Sequence, residues 1–393
     1  MKRILPVIVI SQFFCTSLWF AGNAIMPNIV EVFHLAPSFL AHITSMVQLG
    51  FITGTLIFAL FTVADRFSPS KVFFAASIAA AICNIGISME GIDTEILLLF
   101  RFLTGFFLAG IYPVGMKIAS DHFQKGLGKS LGFLVGALVL GTAFPHLLKT
   151  LTVALPWKYV VYTTSVLCVA GGFLILLLVP DGPYRKPGQK IRFNAFLSGF
   201  KKPSFCAAAF GYFGHMWELY AFWAFVPAML STYLRHHPLV ELNVPLLSFL
   251  VIGSGSIACV FGGILSQKFG VKKIAAISLT LSGICCLVSP LILSGSSVFL
   301  LLAFLFFWGL TVIADSPLFS TLVAQNAPQE TRGTSLTIVN CIGFLITILS
   351  IQLVNQISNE HNQQFVYLIL AIGPILGLAG LLTKRSTNPG QNK

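Results

Sequence analysis

Three formally charged residues lie inside long apolar stretches of this chain: Arg101, Glu218 and Asp315. His215 precedes Glu218 by three residues, a spacing that puts both side chains on one helix face. A charge in hydrocarbon costs about 2.5–3.5 kcal/mol unless it faces a cavity or a partner, so each is a candidate functional group. A buried carboxyl group can exchange a proton as its surroundings change, which favours Glu218 as a proton carrier, followed by Asp315 and His215. The alternative is a static polar network that fixes helix packing.

Arg101 suits an anionic ligand, because a guanidinium group donates several hydrogen bonds in one plane. Aromatic and amide side chains on the same apolar stretches are candidates to line a binding cavity with it, namely Trp19, Asn23, Tyr112, Trp217 and Trp308. Tyr220 and Trp223 are predicted to belong to the aromatic belt at the membrane surface. Aromatic residues at helical spacing also commonly serve packing alone, so that interpretation stays open.

Apolar helices have to hold these residues in place. Of the 393 residues, 56% are hydrophobic and 9% are charged, whereas soluble domains carry about a quarter charged residues. Stretches of about 20 apolar residues, enough to cross a bilayer as a helix, recur along the chain. This pattern excludes an ordinary soluble domain. It predicts twelve spans near 4–29, 40–63, 72–89, 96–116, 130–148, 159–179, 204–230, 245–266, 272–293, 298–323, 333–355 and 364–383.

The net charge of +12 would suggest nucleic acid binding in a soluble protein, but here the basic residues sit in the short breaks between spans. Most of the 24 Lys and Arg residues fall on one side if both termini are cytoplasmic, as the positive-inside rule requires. We therefore predict a multi-pass protein of a bacterial cytoplasmic membrane with a retained first span and no nucleic acid partner. In this orientation Arg101, Glu218, His215 and Asp315 follow one another from outside to inside.

The sequence offers little for a cofactor or a metal. The eight cysteines lie in apolar stretches without metal-type spacing and are predicted to be buried hydrophobes. His236 and His237 are adjacent, but no acidic or Cys ligand accompanies them. A phosphate-binding loop is absent from the sequence, and we find no nucleophile and base at one depth. We predict no cofactor, no metal and no enzymatic activity.

The chain has the pattern of a duplicated unit of six spans. At an offset of 202, "FTVADRFSPSK" (61–71) aligns with "GILSQKFGVKK" (263–273), which pairs Arg66 with Lys268 and Lys71 with Lys273. At an offset of 204, Gly105 meets Gly309 and Pro113 meets Pro317. The polar stretch between the copies divides the chain into an N-terminal six-helix bundle (1–180), a cytoplasmic linker (181–203) and a C-terminal six-helix bundle (204–393).

These motifs resemble those of the major facilitator superfamily over essentially the whole chain. Asp65, Arg66 and Lys71 match the family's signature after the second span, while Phe61 and Ser68 stand where it has glycine. "RFLTG" (101–105) resembles the family's membrane-embedded arginine with glycine four residues later. The resemblance implies an all-α integral membrane protein with twelve transmembrane helices in two pseudo-symmetric six-helix bundles, in which spans 1, 4, 7 and 10 line a central cavity.

The resemblance also implies secondary active transport by alternating access. Arg101 would hold an anionic or zwitterionic organic solute and Glu218 would carry a proton. Asp65, Arg66, Lys71, Lys268 and Lys273 would form a cytoplasmic gate. Import is favoured because the fifth span, "GALVLGTAFP" (136–145), lacks the Gly-Pro pair typical of drug/proton antiporters. The alternatives are proton-driven efflux of a drug or metabolite and a transport-like membrane sensor. The expected partners are a small-molecule substrate, protons and the lipid bilayer, and the expected state is a monomer.

Overall fold

Helices make up the regular structure of the described residues. A computed structural model describes residues 3–36, 38–123, 127–152, 154–185, 199–328, 332–359 and 361–382, and no strand occurs in these ranges. The greater part of the predicted linker (186–198), Lys384, Arg385 and Lys393 lie outside the described residues. The prediction of an all-α fold is confirmed.

The helices follow the predicted spans closely, and we number the spans 1 to 12. Span 1 is broken into Ile4–Thr16, Ala21–Ala24 and Met26–Val32. Spans 2 to 6 comprise Phe39–Leu60, with a short turn Val63–Arg66 after it, Pro69–Gly86, the pair Thr94–Leu108 and Tyr112–His122, Leu127–Leu151 and Lys158–Leu178. Spans 7 to 12 comprise Pro203–His236, Val244–Phe269, Val271–Leu293, the pair Val298–Ala314 and Ser316–Asn326, Arg332–Ile357, and a 3-10 turn Val366–Ala371 continuing into Ile372–Leu382.

Two spans are longer than predicted. Span 4 continues to His122 and span 7 to His236, each six residues past the predicted end, so Arg235 and His236 form the last turn of a helix and not an outer loop. No helix breaker intervenes in either segment, and span 7 ends just before Pro238, which disfavours helical backbone in the residue before it.

Nine helical segments in the described part of the chain are long and apolar enough to cross a membrane. The three remaining predicted spans coincide with the broken first span, with the 34-residue helix Pro203–His236 and with the shorter apolar segment Val366–Leu382. Large apolar side chains such as Leu177, Leu291 and Phe299 are more than 70% exposed. Such exposure suits a lipid environment, where apolar surface need not be hidden from water. The helices are thus consistent with the twelve predicted spans.

Residues that are 204 positions apart in the two halves make equivalent helix contacts. Gly105 of span 4 packs against the backbone oxygen of Val47 in span 2, and Gly309 of span 10 packs against that of Val251 in span 8. In both places a Cβ atom on the glycine would collide with this oxygen. Small residues permit such close helix approach in membranes. The two halves therefore repeat the same helix packing.

The helix caps and helix breaks repeat at the same offset. Asp93 accepts a hydrogen bond from the Ile96 amide at the start of span 4, as Ser297 does from the Leu300 amide at the start of span 10. Span 4 breaks between Leu108 and Tyr112, and span 10 breaks at Asp315; Pro113 and Pro317 are each the second residue of the helical segment that follows the break. Proline has no amide hydrogen and clashes with the preceding helical turn, which explains why both helices are interrupted there.

Spans 1–6 pack mainly among themselves, and so do spans 7–12. Between the two sets, span 5 runs along span 8 and span 2 runs along span 11. We call the surface between the two sets the seam. The seam is where side chains from the two halves can meet.

The repeated glycine contacts lead to a stability prediction. Gly105→Ala and Gly309→Ala should each lower the thermal unfolding temperature of the detergent-solubilised protein, because overpacking costs about 1–3 kcal/mol. Gly263→Ala is the control: an added methyl group on this helical glycine would meet no neighbouring atom within 4 Å. Alanine also favours helix over glycine, so the stability of this variant should hold or rise. Equal stability of all three variants would contradict the close approach.

Candidate functional site

Arg101 lies at the break in span 1. Its side chain is fully buried, and its Nη2 donates to the backbone oxygens of Leu18 at 3.3 Å and Trp19 at 2.7 Å. Nη1 donates to the Leu18 oxygen and to Asn84 Oδ1, both at 3.3 Å. A helix end leaves carbonyls without partners, and a guanidinium group can supply several donors at once. Arg101 thus satisfies the carbonyls that the break in span 1 exposes.

Arg101 has no acidic partner among the described residues. Its Nε and the indole nitrogens of Trp19 and Trp223 are buried donors without an acceptor. Asn84, which the sequence analysis missed, orients the guanidinium and in turn donates to Ser165 Oγ at 3.0 Å. A polar asparagine inside an apolar span is the sequence feature that could have identified it. The result is a buried positive charge with neutral protein contacts.

The two buried carboxyl groups lie in the other half. Glu218 of span 7 accepts hydrogen bonds from Ser282 Oγ of span 9 at 2.8 Å and from Trp308 Nε1 of span 10 at 2.6 Å. Asp315 Oδ1 lies 2.9 Å from His215 Nδ1, and both side chains are at most 1% exposed. His215 and Glu218 lie on the same span-7 face, one helical turn apart, and each carboxyl group therefore has its own partners.

Aromatic rings from both halves meet at the seam. Trp19 lies 4.8 Å from Phe51, 5.8 Å from Tyr220 and 5.6 Å from Phe344 between ring centroids. Tyr220 also contacts Trp223, with 5.2 Å between the ring centroids. We call Trp19, Phe51, Tyr220, Trp223 and Phe344 the aromatic cluster.

The placement of Tyr220 and Trp223 in a membrane-surface belt is wrong. Both are at most 2% exposed, because spans 1, 2 and 11 supply aromatic partners at the seam. Phe51 and Phe344 were missed, since phenylalanine in an apolar span carries no signal of a special position.

The remaining residues predicted to line the cavity do not lie together. Asn23 is buried and donates to Thr44 Oγ1 at 2.8 Å, within its own half. Tyr112 is half-buried at the start of the second segment of span 4. Trp217 donates from its Nε1 to the Ile369 oxygen at 3.0 Å, toward span 12 and away from the aromatic cluster. Trp308 contacts Glu218 directly. The structure therefore brings Trp19 and Arg101 together in the N-terminal half and Glu218 and Trp308 together in the C-terminal half, and it directs Trp217 toward span 12.

Polar side chains of the two halves form hydrogen bonds across the seam. These contacts lie in the part of the seam that the charge distribution predicts to face the outside. Gln352 Nε2 donates to Ser45 Oγ at 2.9 Å, and Thr347 donates to Gln48 Oε1, so both contacts link span 11 to span 2. Thr150 Oγ1 donates to Asn243 Oδ1 at 3.4 Å, between the outer ends of spans 5 and 8. Together with the aromatic cluster, these contacts hold the halves together at the predicted outer end.

The predicted gate residues do not meet across the seam. Asp65 pairs with Lys117 of span 4 at 2.9 Å, in its own half, and Arg185 donates to the Asp65 backbone oxygen at 2.9 Å. Arg66, Lys71, Lys268 and Lys273 are exposed; the Lys268 ammonium lies 5.3 Å from the centre of the Phe269 ring. Lys117 was missed as a gate partner because a basic residue at a span end also fits the positive-inside rule.

The described residues contain no group of three or more His, Cys, Asp and Glu side chains that could hold a metal ion. His236 and His237 each place Nδ1 near a backbone oxygen one turn earlier, at 2.8 and 3.0 Å. All eight cysteines are free, and seven of them are buried.

These features match those of known transporters. A sequence profile of the Major Facilitator Superfamily matches residues 8–351, so the chain belongs to this superfamily of membrane transporters and is not an enzyme. Among solved structures, the crystal structure of the human organic anion transporter MFSD10 (TETRAN) superposes with a TM-score of 0.72. The match covers 97% of this chain and 99% of that one at 13% sequence identity, which shows a common fold. No curated protein matches the chain in sequence.

The outer contacts predict that cross-linking will block transport. In Ser45→Cys combined with Gln352→Cys, a short bifunctional thiol reagent with a reducible linker should join spans 2 and 11 and abolish uptake by vesicles, because the seam can no longer open there. A reducing agent should restore uptake. Each single variant, treated with the same reagent, is the control and should keep its activity. Full uptake by a protein shown to be cross-linked on gels would contradict the prediction.

Proposed function

We propose that the protein imports a small anionic or zwitterionic organic solute together with protons, by alternating access. The observation that carries this proposal is the division of buried charge between the halves. Arg101 is a fully buried cation of the N-terminal half, where the buried acid Asp121 is paired with Lys117 at the end of span 4. Glu218 and Asp315 are buried acids of the C-terminal half, and the aromatic cluster lies between the halves. A solute or a proton that enters the seam changes the charge balance there.

The proposed anion site is the break in span 1. The unpartnered donors Arg101 Nε and Trp19 Nε1 suit a carboxylate or phosphate oxygen, since buried donors without acceptors are unfavourable. Because Arg101 already donates to three protein acceptors, the solute would take up the donors that remain or displace the weaker contacts at 3.3 Å. The human transporter of the same fold carries organic anions by its name, which agrees with this choice of substrate class.

The proposed proton carrier is Glu218. Its partners Ser282 and Trp308 are neutral donors that can bond a carboxylate, and a protonated carboxyl group can keep part of the same contacts. Trp308 and Ser282 come from different spans, so a relative movement of spans 9 and 10 changes the surroundings of Glu218. The pair His215 and Asp315 forms a second protonatable unit on the same helix face.

The proposed movement is a rocking of residues 1–180 against residues 204–393, joined by the linker 181–203. The contacts at the predicted outer end correspond to a state closed toward the outside. In the opposite state, Asp65 would leave Lys117, and Asp65, Arg66 and Lys71 would approach the matching Lys268 and Lys273 of the second half. The protein would work as a monomer in a bacterial cytoplasmic membrane, with both termini in the cytoplasm.

Glu218→Gln tests the proton carrier. In proteoliposomes with a solute panel, the wild type should accumulate its substrate when a pH gradient is imposed. One proton per solute supports about tenfold accumulation per pH unit, since a pH unit is worth about 1.4 kcal/mol. The variant should lose this accumulation but keep exchange of labelled for unlabelled solute.

Glu241→Gln is the matched control, because Glu241 is exposed between spans 7 and 8. Accumulation that survives in Glu218→Gln would remove Glu218 as the carrier. Accumulation that instead occurs when the gradient is reversed would indicate efflux.

Asn84→Asp tests the anion site without removing Arg101. The new carboxylate would pair with the guanidinium and cancel its charge, while Ser165 and Thr164 can donate to it in place of accepting from Asn84. Affinity for an anionic substrate should fall about tenfold or more, because a hydrogen bond to a charged group contributes about 1.5–3 kcal/mol. Asn84→Leu is the control, since it removes the contact but leaves the charge. An unchanged affinity in a folded Asn84→Asp protein would exclude Arg101 as the anchor.

A further inference from the structure

A groove lies on the membrane-facing surface between spans 9 and 12, apart from the seam. It has a volume of about 540 Å³ and is lined by Lys272, Lys273, Ala276, Ile277, Thr280, Leu281 and Leu382. Ile277 is 45% exposed and Leu382 is 59% exposed, so the groove opens outward from the bundle. Neither Arg101 nor the carboxyl groups of the proposed transport site line it.

The lining residues form a single stripe along span 9. Positions 273, 276, 277, 280 and 281 follow the i, i+3, i+4, i+7, i+8 pattern of one helix face. The two lysines stand at one end of this stripe, in the first turn of span 9, and the apolar side chains follow toward the middle of the membrane. The groove therefore combines a cationic end with an apolar channel.

The positive charge at this corner has no acidic compensation. Lys268, Lys272 and Lys273 fall within six residues, and the sequence from 242 to 314 contains no Asp or Glu. None of the three lysines forms an ion pair with another described residue. Lysines in the first turn of a helix also oppose the helix dipole, which makes an external anion more favourable there.

We propose that this groove binds an anionic phospholipid of the leaflet that the charge distribution places on the cytoplasmic side. Lys272 and Lys273 would contact the headgroup phosphate, and one acyl chain would lie along Ala276, Ile277 and Leu281. Basic residues near the membrane surface attract anionic lipids, and a fixed apolar groove adds selectivity for a molecule with an acyl chain. A free phosphate or solute anion would use the lysines but not the apolar channel.

The test measures lipid binding to the full-length protein in a neutral detergent. Phosphatidylglycerol, phosphatidylcholine with the same acyl chains, and inorganic phosphate are each titrated, and bound lipid is counted by native mass spectrometry. The wild type should retain one phosphatidylglycerol more tightly than phosphatidylcholine. The double variant Lys272→Gln with Lys273→Gln should bind it about tenfold or more weakly.

Two matched controls separate the groove from general surface charge. Lys201→Gln with Lys202→Gln removes a similar exposed pair next to span 7 and should leave the tight lipid in place. Ala276→Trp fills the groove but keeps both lysines and should weaken binding, whereas Ile284→Trp, on an exposed part of the same span, should not.

Several outcomes would overturn the proposal. Equal weakening of lipid binding in both double lysine variants would mean that binding depends only on the general surface charge. If phosphatidylcholine bound as tightly as phosphatidylglycerol, the lysines would have no role in lipid selectivity. Competition by inorganic phosphate at millimolar concentration, with no effect of Ala276→Trp, would indicate a free anion site. Because none of these readouts uses transport, failure here leaves the proposed function standing, and the reverse also holds.

Discussion

A backbone carbonyl or a charge inside a bilayer has to find its partner within the protein, because no water is available there. The break in span 1 exposes the carbonyls of Leu18 and Trp19, and Arg101 meets both. This interaction holds the broken helix against span 4 and fixes the position of Trp19. Trp19 in turn is the N-terminal member of the aromatic cluster at the seam. The position of Trp19 in the aromatic cluster therefore depends on one guanidinium group.

The two halves share a backbone plan but differ in chemistry. Caps, close glycine contacts and proline breaks recur at the same offset, whereas the buried charges do not. Arg101 of span 4 has Leu305 as its counterpart in span 10, and Asp315 of span 10 corresponds to Ile111 in span 4. Duplication thus supplied two similar bundles. Within these bundles the fully buried charges differ, with Arg101 in the N-terminal half and Glu218 and Asp315 in the C-terminal half.

The contacts that hold the halves together are of a kind that can be broken repeatedly. Ring contacts contribute about 0.5–1.5 kcal/mol each and neutral hydrogen bonds about as much. Ser45 with Gln352 and Gln48 with Thr347 are neutral pairs, and the gate residue Asp65 pairs with Lys117 inside its own half. A seam built from several modest contacts can separate at a modest cost in free energy, as the proposed alternating access would require.

The sequence alone predicted twelve spans, with which the helices are consistent, and it determined the order and approximate limits of these helices and the duplicated plan. It could do so because hydrophobic length and the spacing of Gly and Pro depend on local physics. It also identified Arg101, Glu218, His215 and Asp315, since a charge in an apolar span is conspicuous. It could not assign their partners. Asn84, Ser282, Phe51 and Phe344 come from distant parts of the chain. Trp217 faces span 12 and Tyr220 lies in the aromatic cluster, and neither placement was predicted. The orientation of each helix about its axis and the packing of the two halves decided these contacts. Successive side chains on a helix are about 100° apart, so neighbouring residues face different partners.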